Sequence, residues 1–149
     1  MLTLSKKILV AIDGSPQSDK AAEEAVRLAS ISGSRFKSRI AALLVLPKSD
    51  APAVIDYLPD DSRKPVDVEA VRKRMFYVIE KSAREAGIEL ESLIAYGDPV
   101  EEILKMAEAK ESDVIVIGSS GKGLVKRTFL GSVSSKVAMQ SHISVYIVR

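Results

Sequence analysis

Three glycines, Gly118, Gly121 and Gly131, the last followed at once by Ser132, stand between the apolar run Val114-Ile115-Val116-Ile117 and a stretch of helical periodicity that starts near Ser132. The spacing Gly-x2-Gly-x9-Gly-Ser suits the binding of a phosphate. Glycine reaches positive φ without steric cost, so a strand that ends in glycine can turn sharply and present its N–H groups with no side chain in the way. Ser132 is expected to start the next helix as its N-cap. The unpaired N–H groups of that first turn, with the positive end of the helix dipole, favour an anion. Lys122, Lys126 and Arg127 lie between the glycines, either as phosphate contacts or as solvated loop charges. The loop is not a P-loop, since no Gly-x4-Gly-Lys-Ser/Thr occurs, nor the dinucleotide Gly-x-Gly-x-x-Gly.

Other residues that could do chemistry are few. Asp13, in Asp13-Gly14, has two readings: a turn residue whose carboxylate bonds its own backbone, or a ligand group beside the glycine loop. The only histidine, His142, has no serine-and-acid constellation near it in sequence and is assigned no catalytic role. Asp60-Asp61 lies in a proline-bounded loop and reads as solvation rather than a metal pair. The absence of cysteine removes disulfides, thiol chemistry and cysteine-rich zinc sites. No catalytic residue and no protein metal ligand is assigned.

The elements that must position these residues alternate. Ile8 to Ile12 is an apolar run expected of a strand covered on both faces. Ser15-Pro16 opens a helix in which Ala21, Ala22, Ala25, Val26 and Ala29 recur at helical spacing, with Gly33 as its stop. A second strand covers Ile40 to Leu46. Residues 47–65 hold four prolines among several Asp and Ser residues and predict a long, variable loop. A long amphipathic helix runs from about Asp67 to Gly87, with Arg72, Lys73, Arg74, Lys81, Arg84, Glu69, Glu80 and Glu85 as a mixed solvated face. A third strand covers Glu89 to Tyr96. Asp98-Pro99-Val100-Glu101 caps a third helix that ends near Glu111. Asp113 to Ile117 is the fourth strand; Val133, Val137 and Ala138 line a fourth helix; Val145 to Val148 is the fifth strand. The order β-α-β-α-β-α-β-α-β predicts an α/β fold, a single-domain, open, five-stranded parallel sheet with helices on both faces. Ligands of such sheets sit beyond the carboxyl ends of the strands, where Asp13, Leu46, Gly97 and Gly118 fall.

Composition agrees. A chain of 149 residues fits one domain that buries roughly two-thirds of its unfolded surface. The balance of 22 basic against 20 acidic side chains gives only +2, too weak a field to select nucleic acid. The start Met-Leu-Thr-Leu-Ser-Lys-Lys lacks the apolar stretch of a signal peptide, and no run approaches the roughly 20 apolar residues that span a bilayer, so a cytoplasmic protein with no membrane partner is expected.

With loop and order in place, the chain resembles the ATP-binding branch of the universal stress protein superfamily, whose fold is that of the adenine nucleotide alpha-hydrolases, a Rossmann-like sheet. The resemblance runs nearly end to end. It is carried by Ile8 to Ser15, by Gly97-Asp98-Pro99, by Ser112 to Gly118, and by Gly121 with Gly131-Ser132-Val133. It implies that Asp13 lies by the ribose and adenine and that Ala11, Ile12 and Leu46 line an apolar adenine slot. It further implies that Gly118, Gly121, Gly131, Ser132 and Val133, with Ser134 as an addition, wrap ribose and phosphates. The implied ligand is ATP or another adenine nucleotide, with Mg2+ or Mn2+ held mainly by phosphates. A homodimer through the last strand, Val145 to Arg149, and an unidentified protein partner are implied as well. Ser120 replaces a frequent histidine or basic residue, Val45-Leu46 a common His-Val, and Ser144 a frequent proline. The function implied is nucleotide-dependent signalling or stress response rather than fast catalysis. The competing enzyme, a slow ATP hydrolase or an adenylate-forming relative of the ATP pyrophosphatases, would in the latter case need Ser-Gly-Gly-x-Asp-Ser where this chain has Asp13-Gly14-Ser15-Pro16-Gln17-Ser18. A flavin-binding reading has the same architecture but no redox residue to support it.

Overall fold

The computed structural model describes residues 6–31, 38–51, 67–120 and 130–149. Within them the apolar runs form five strands, β1 (Lys7–Ile12), β2 (Arg39–Leu46), β3 (Glu89–Tyr96), β4 (Val114–Gly118) and β5 (Ser144–Val148), and the periodic segments form four helices, α1 (Pro16–Ser30), α2 (Val68–Ala86), α3 (Pro99–Ala109) and α4 (Ser132–Gln140). All strand pairs are parallel and the order is β3-β2-β1-β4-β5.

This order follows from the handedness of parallel crossovers. From β1 to β2 to β3 the chain steps outward one way; from β3 it jumps back across the sheet to β4 and continues to β5. Right-handed connections then put the helices of the two directions on opposite faces. One face accordingly buries Ala21, Ala25 and Ala29 of α1 and Phe76, Ile79 and Ala83 of α2 on Ile8, Val10 and Ile12. The other buries Ile103 and Ala107 of α3 and Val137 of α4 on Leu9, Leu43 and Ile115. The central strand β1 is thus apolar at every core position, as its unbroken run requires.

The direction reverses between β1 and β4, whose Val10 and Val116 are register partners. At that point the helix connections diverge to opposite faces and leave a crevice beyond the strand ends.

Local signals set the boundaries. The Ser15 hydroxyl caps α1 by accepting from Ser18 N, Asp67 caps α2 through Glu69 N and Ala70 N, and Asp98 caps α3 through Glu101 N. Gly87 closes α2 in the left-handed region at φ 68°. The observed boundaries differ in detail from the expected ones or lie outside the described residues. α1 ends at Ser30 with Ile31 as its C-cap, and Gly33, its expected stop, lies outside the described residues, as does 52–65 of the expected loop; 47–51 carries a 3-10 turn at Lys48–Asp50. α3 stops at Ala109, and Glu111 takes φ 50° without glycine's freedom. On α4 the expected apolar Ala138 faces solvent, because the inward side runs through Ser134 and Val137. Among the described residues no helix is long and apolar enough to cross a membrane.

Candidate binding site

A cavity of about 280 Å³ opens at the point where the sheet reverses. β1 contributes Ala11 and Ile12, followed by Asp13; β2 contributes Leu43 and Val45; β4 contributes Ile117 and Gly118. Pro99 and Ile103 from the first turns of α3 and Gly131 to Ser134 at the start of α4 complete the wall. One side is apolar and the other is a ring of hydroxyls and backbone amides, the division that small-molecule sites use for affinity and orientation. A larger cavity of about 400 Å³ sits at the opposite ends of the strands, but its charged walls are closed into ion pairs, Arg39 with Glu89 and Lys110 with Glu91.

The turn after β1 is held by a ring of three hydrogen bonds. Ser15 N donates to Asp13 Oδ1 at 2.8 Å, Asp13 N donates to Ser18 Oγ at 3.1 Å, and Ser18 N donates to Ser15 Oγ at 3.1 Å. Gly14 permits it by standing at φ 79°. Asp13 therefore does what its turn reading asks with one oxygen; Oδ2 accepts no hydrogen bond among the described residues and belongs to a side chain that lines the cavity.

At the other wall α4 begins without a side-chain cap, alone among the four helices. The expectation that Ser132 caps it is overturned: Gly131 is the N-cap at φ −63° and ψ 161°, and Ser132 is the first helical residue. The start of α4 is fastened instead from behind. Gly131 N donates to Ser119 O at 2.6 Å, and Ser134 Oγ lies 2.9 Å from Ser119 O and 3.1 Å from Gly131 O. The N–H groups of Ser132, Val133 and Ser134, which no helix can pair internally, have no acceptor among the described residues and stand at the cavity.

Gly118 is required for a different reason from the one the sequence suggests. Positive φ among the described glycines belongs to Gly14, Gly87 and Gly97, and Gly118 continues the strand. What excludes a side chain there is space, since an added Cβ would meet the Gln17 backbone at 2.9 Å.

Of the expected site residues, Ala11, Ile12, Asp13, Gly118, Gly131, Ser132, Val133 and Ser134 line the cavity together. Leu46 does not. Side chains alternate along β2, so Leu44 and Leu46 face α2 while Leu43 and Val45 face the cavity side. Gly121 lies outside the described residues, with Lys122, Lys126 and Arg127. Leu43, Val45, Ser15, Ser18, Pro99, Ile103, Ile117 and Ser120 line the cavity too and were missed. The period of two along β2 and the spacing of four between Pro99 and Ile103 would have found four of them.

The family's sequence model, Universal stress protein family, matches residues 5–149. The chain belongs to the universal stress protein family. A universal stress protein of Bacillus subtilis is 36% identical over 147 residues, covering 96% of this chain and 98% of that one. Among solved structures, the universal stress protein MJ0577 of Methanocaldococcus jannaschii superposes with a TM-score of 0.77 at 26% identity, covering 97% of this chain and 96% of its own. The universal stress protein of Archaeoglobus fulgidus in complex with dAMP superposes with a TM-score of 0.68, covering 98% of this chain and 99% of its own, a likeness of fold at 19% identity. The open parallel sheet is thus the universal stress protein fold, with its reversal point, cavity and uncapped α4 at the carboxyl ends of β1 and β4.

Proposed function

We propose that this universal stress protein, acting as one domain over 1–149 with 47–65 as its variable loop, binds an adenine nucleotide, ATP foremost, as a cytoplasmic signalling or stress-response module. One observation carries the reading: the single uncapped helix N-terminus among the four α-helices faces a cavity whose opposite wall is apolar. An apolar base fits against Ala11, Leu43, Val45 and Ile103, ribose hydroxyls fit near Asp13 Oδ2, and phosphate oxygens fit the free N–H groups of α4. The dAMP complex of the Archaeoglobus relative supports the ligand class.

Among the described residues no cation lines the cavity and no cluster of three potential metal ligands occurs. Mg2+ or Mn2+ would therefore be held mainly by phosphates and water. The same lining offers Asp13 as its one ionisable group, which favours a bound state over turnover.

The expected micromolar affinity corresponds to about −8 kcal/mol. Mass spectrometry of nucleotide released from purified protein, followed by titration calorimetry, tests the proposal; no heat and no competition at millimolar ATP would remove it.

The reading includes a homodimer through β5, an edge strand whose Val145 and Ile147 are only half-buried and whose Tyr146 is exposed. Unpaired strand edges invite such pairing, and Ser144 adds an N–H donor that a proline would lack. A solution mass near 16.1 kDa would contradict it.

A further inference from the structure

We propose that the outer face of α2 docks an acidic helical segment of a partner protein. Tyr77 is 60% exposed at the middle of this helix. At 3.6 residues per turn, Lys73, Lys81 and Arg84 fall within about 40° of Tyr77 and Arg74 within about 60°. All four cations are exposed, and none forms an ion pair among the described residues, whereas Lys7, Arg27, Arg39 and Lys110 each do. The carboxylates of the same helix sit at the rims, about 60–80° from Tyr77, and Glu80 is engaged by Ser92 Oγ at 3.2 Å. What composition suggests as a mixed solvated face is therefore sorted into a basic strip with an aromatic centre and acidic borders. From Lys73 to Arg84 it extends about 16 Å.

Glu69, Glu80 and Glu85 stand four residues from Lys73, Arg84 and Lys81 and balance the strip within the helix, yet none of them closes an ion pair with these cations among the described residues. The ammonium and guanidinium groups therefore keep donors for a carboxylate-bearing helix laid along the strip, and Tyr77 supplies the low-entropy aromatic anchor that interface centres favour.

Charge selects this occupant over the others. A second copy meeting the strip with its own strip would oppose like charges across an isologous contact. An anionic bilayer holds an interfacial helix by its apolar face, and apart from Ala70 and Tyr77 this face has none. Nucleic acid needs a broad basic field, but the chain's formal charge is +2 and the glutamate rims narrow the strip to one helix width.

The test is fluorescence anisotropy at low salt with a labelled helical peptide of about 18 residues, glutamates along one face and a central leucine, long enough to span the strip. Binding at roughly 10–100 μM is expected. Charge reversal of Lys73 and Lys81 together should weaken it by about tenfold or more, and Tyr77→Ala by about threefold. Reversal of Lys20 and Lys136, exposed cations on α1 and α4, makes the same net-charge change and should alter it by less than about twofold. Circular dichroism would verify that each variant keeps its helix content. The proposal falls if the peptide does not bind at about 1 mM, if the control reversal weakens it equally, or if a single-stranded RNA or phosphatidylserine vesicles bind more tightly. The proposal does not rest on nucleotide binding and stands or falls separately.

Discussion

Gly118 lies against Gln17 so closely that a Cβ on it would stand 2.9 Å from both the carbonyl carbon and the oxygen of Gln17. The end of β4 and the first turn of α1 thus meet with no side chain between them, and this approach brings Gly118 and the Asp13-to-Ser18 turn to one cavity. The glycine is a packing requirement that also shapes the site.

Gly118→Ala is therefore expected to destabilise the fold itself by about 1–3 kcal/mol, the range for forcing extra atoms into packed surroundings. Gly118→Val should cost more. Urea unfolding measures this directly. An unchanged midpoint with lost nucleotide binding would return Gly118 to the role of a site glycine only.

The order of elements was legible because most strands are short apolar runs bounded by turn residues and two helices carry their caps in sequence: Ser15 and Asp98 cap as expected. Side-chain direction at strand ends was not. Leu46 and Val45 are equally apolar neighbours, and only the pairing of β2 with β1 and β3, with helices packed on both faces, decides which of them faces the cavity. Ser132 looks like an N-cap in isolation. Tertiary contacts move the cap to Gly131, because Gly131 N and the Ser134 hydroxyl both engage Ser119 O. The close approach at Gly118 is likewise a contact between segments a hundred residues apart, invisible to any local pattern.

Asp13→Ala should weaken adenine-nucleotide binding by about 1–3 kcal/mol, the loss of a hydrogen bond to a charged group. The carboxylate also holds Ser15 N, so part of the loss could come from the turn. Ser18→Ala separates the two contributions: it removes the acceptor of Asp13 N and disturbs the same turn, but leaves the carboxylate in place. Calorimetry should find the Asp13 variant weaker than the Ser18 variant. Equal affinities would make Asp13 a turn residue alone.

Glu111 stands at φ 50° where α3 ends, a conformation that costs a residue with a Cβ about 1 kcal/mol. Its ion pair with Lys7, at 3.2 Å, is highly exposed and so is expected to offset little of that cost. Glu111→Gly should raise the unfolding free energy by somewhat less than about 1 kcal/mol, since glycine also frees the unfolded chain. A fall in the urea midpoint would show that the exposed ion pair outweighs the strain.

Glu24 joins α1 to the edge strand: Arg27 donates to its carboxylate, and Tyr146 Oη donates to Oε1 at 2.9 Å. The Arg27 hydrogen bond, opposed by burial and aided by a weaker contribution from Tyr146 and by the Arg27 charge, holds its carboxyl below the usual carboxylate value. A depressed folded value means the stabilisation is present above the unfolded value and is lost as pH falls through the folded one. Glu24→Gln should therefore be less stable than the parent at neutral pH, and the gap should close in acid. A gap independent of pH would mean that the carboxylate's charge contributes nothing.

Bound ATP should turn over very slowly. Phosphoryl transfer needs a group that positions water at the γ-phosphate and metal ions fixed in place. Among the described residues the cavity walls contain no His, Glu, Gln, Lys or Arg, and Asp13 already spends one oxygen on Ser15 N. The sequence of the loop adds no such group, since residues 119–130 hold no Asp, Glu, Gln or His. A long-lived nucleotide state suits a module whose output is the population of its bound form. Phosphate release by purified protein is expected to stay far below the roughly 1 s⁻¹ of ordinary enzymes, with the Asp13→Ala variant as the contamination control. Release at or above that rate, lost in the variant, would make this protein an enzyme.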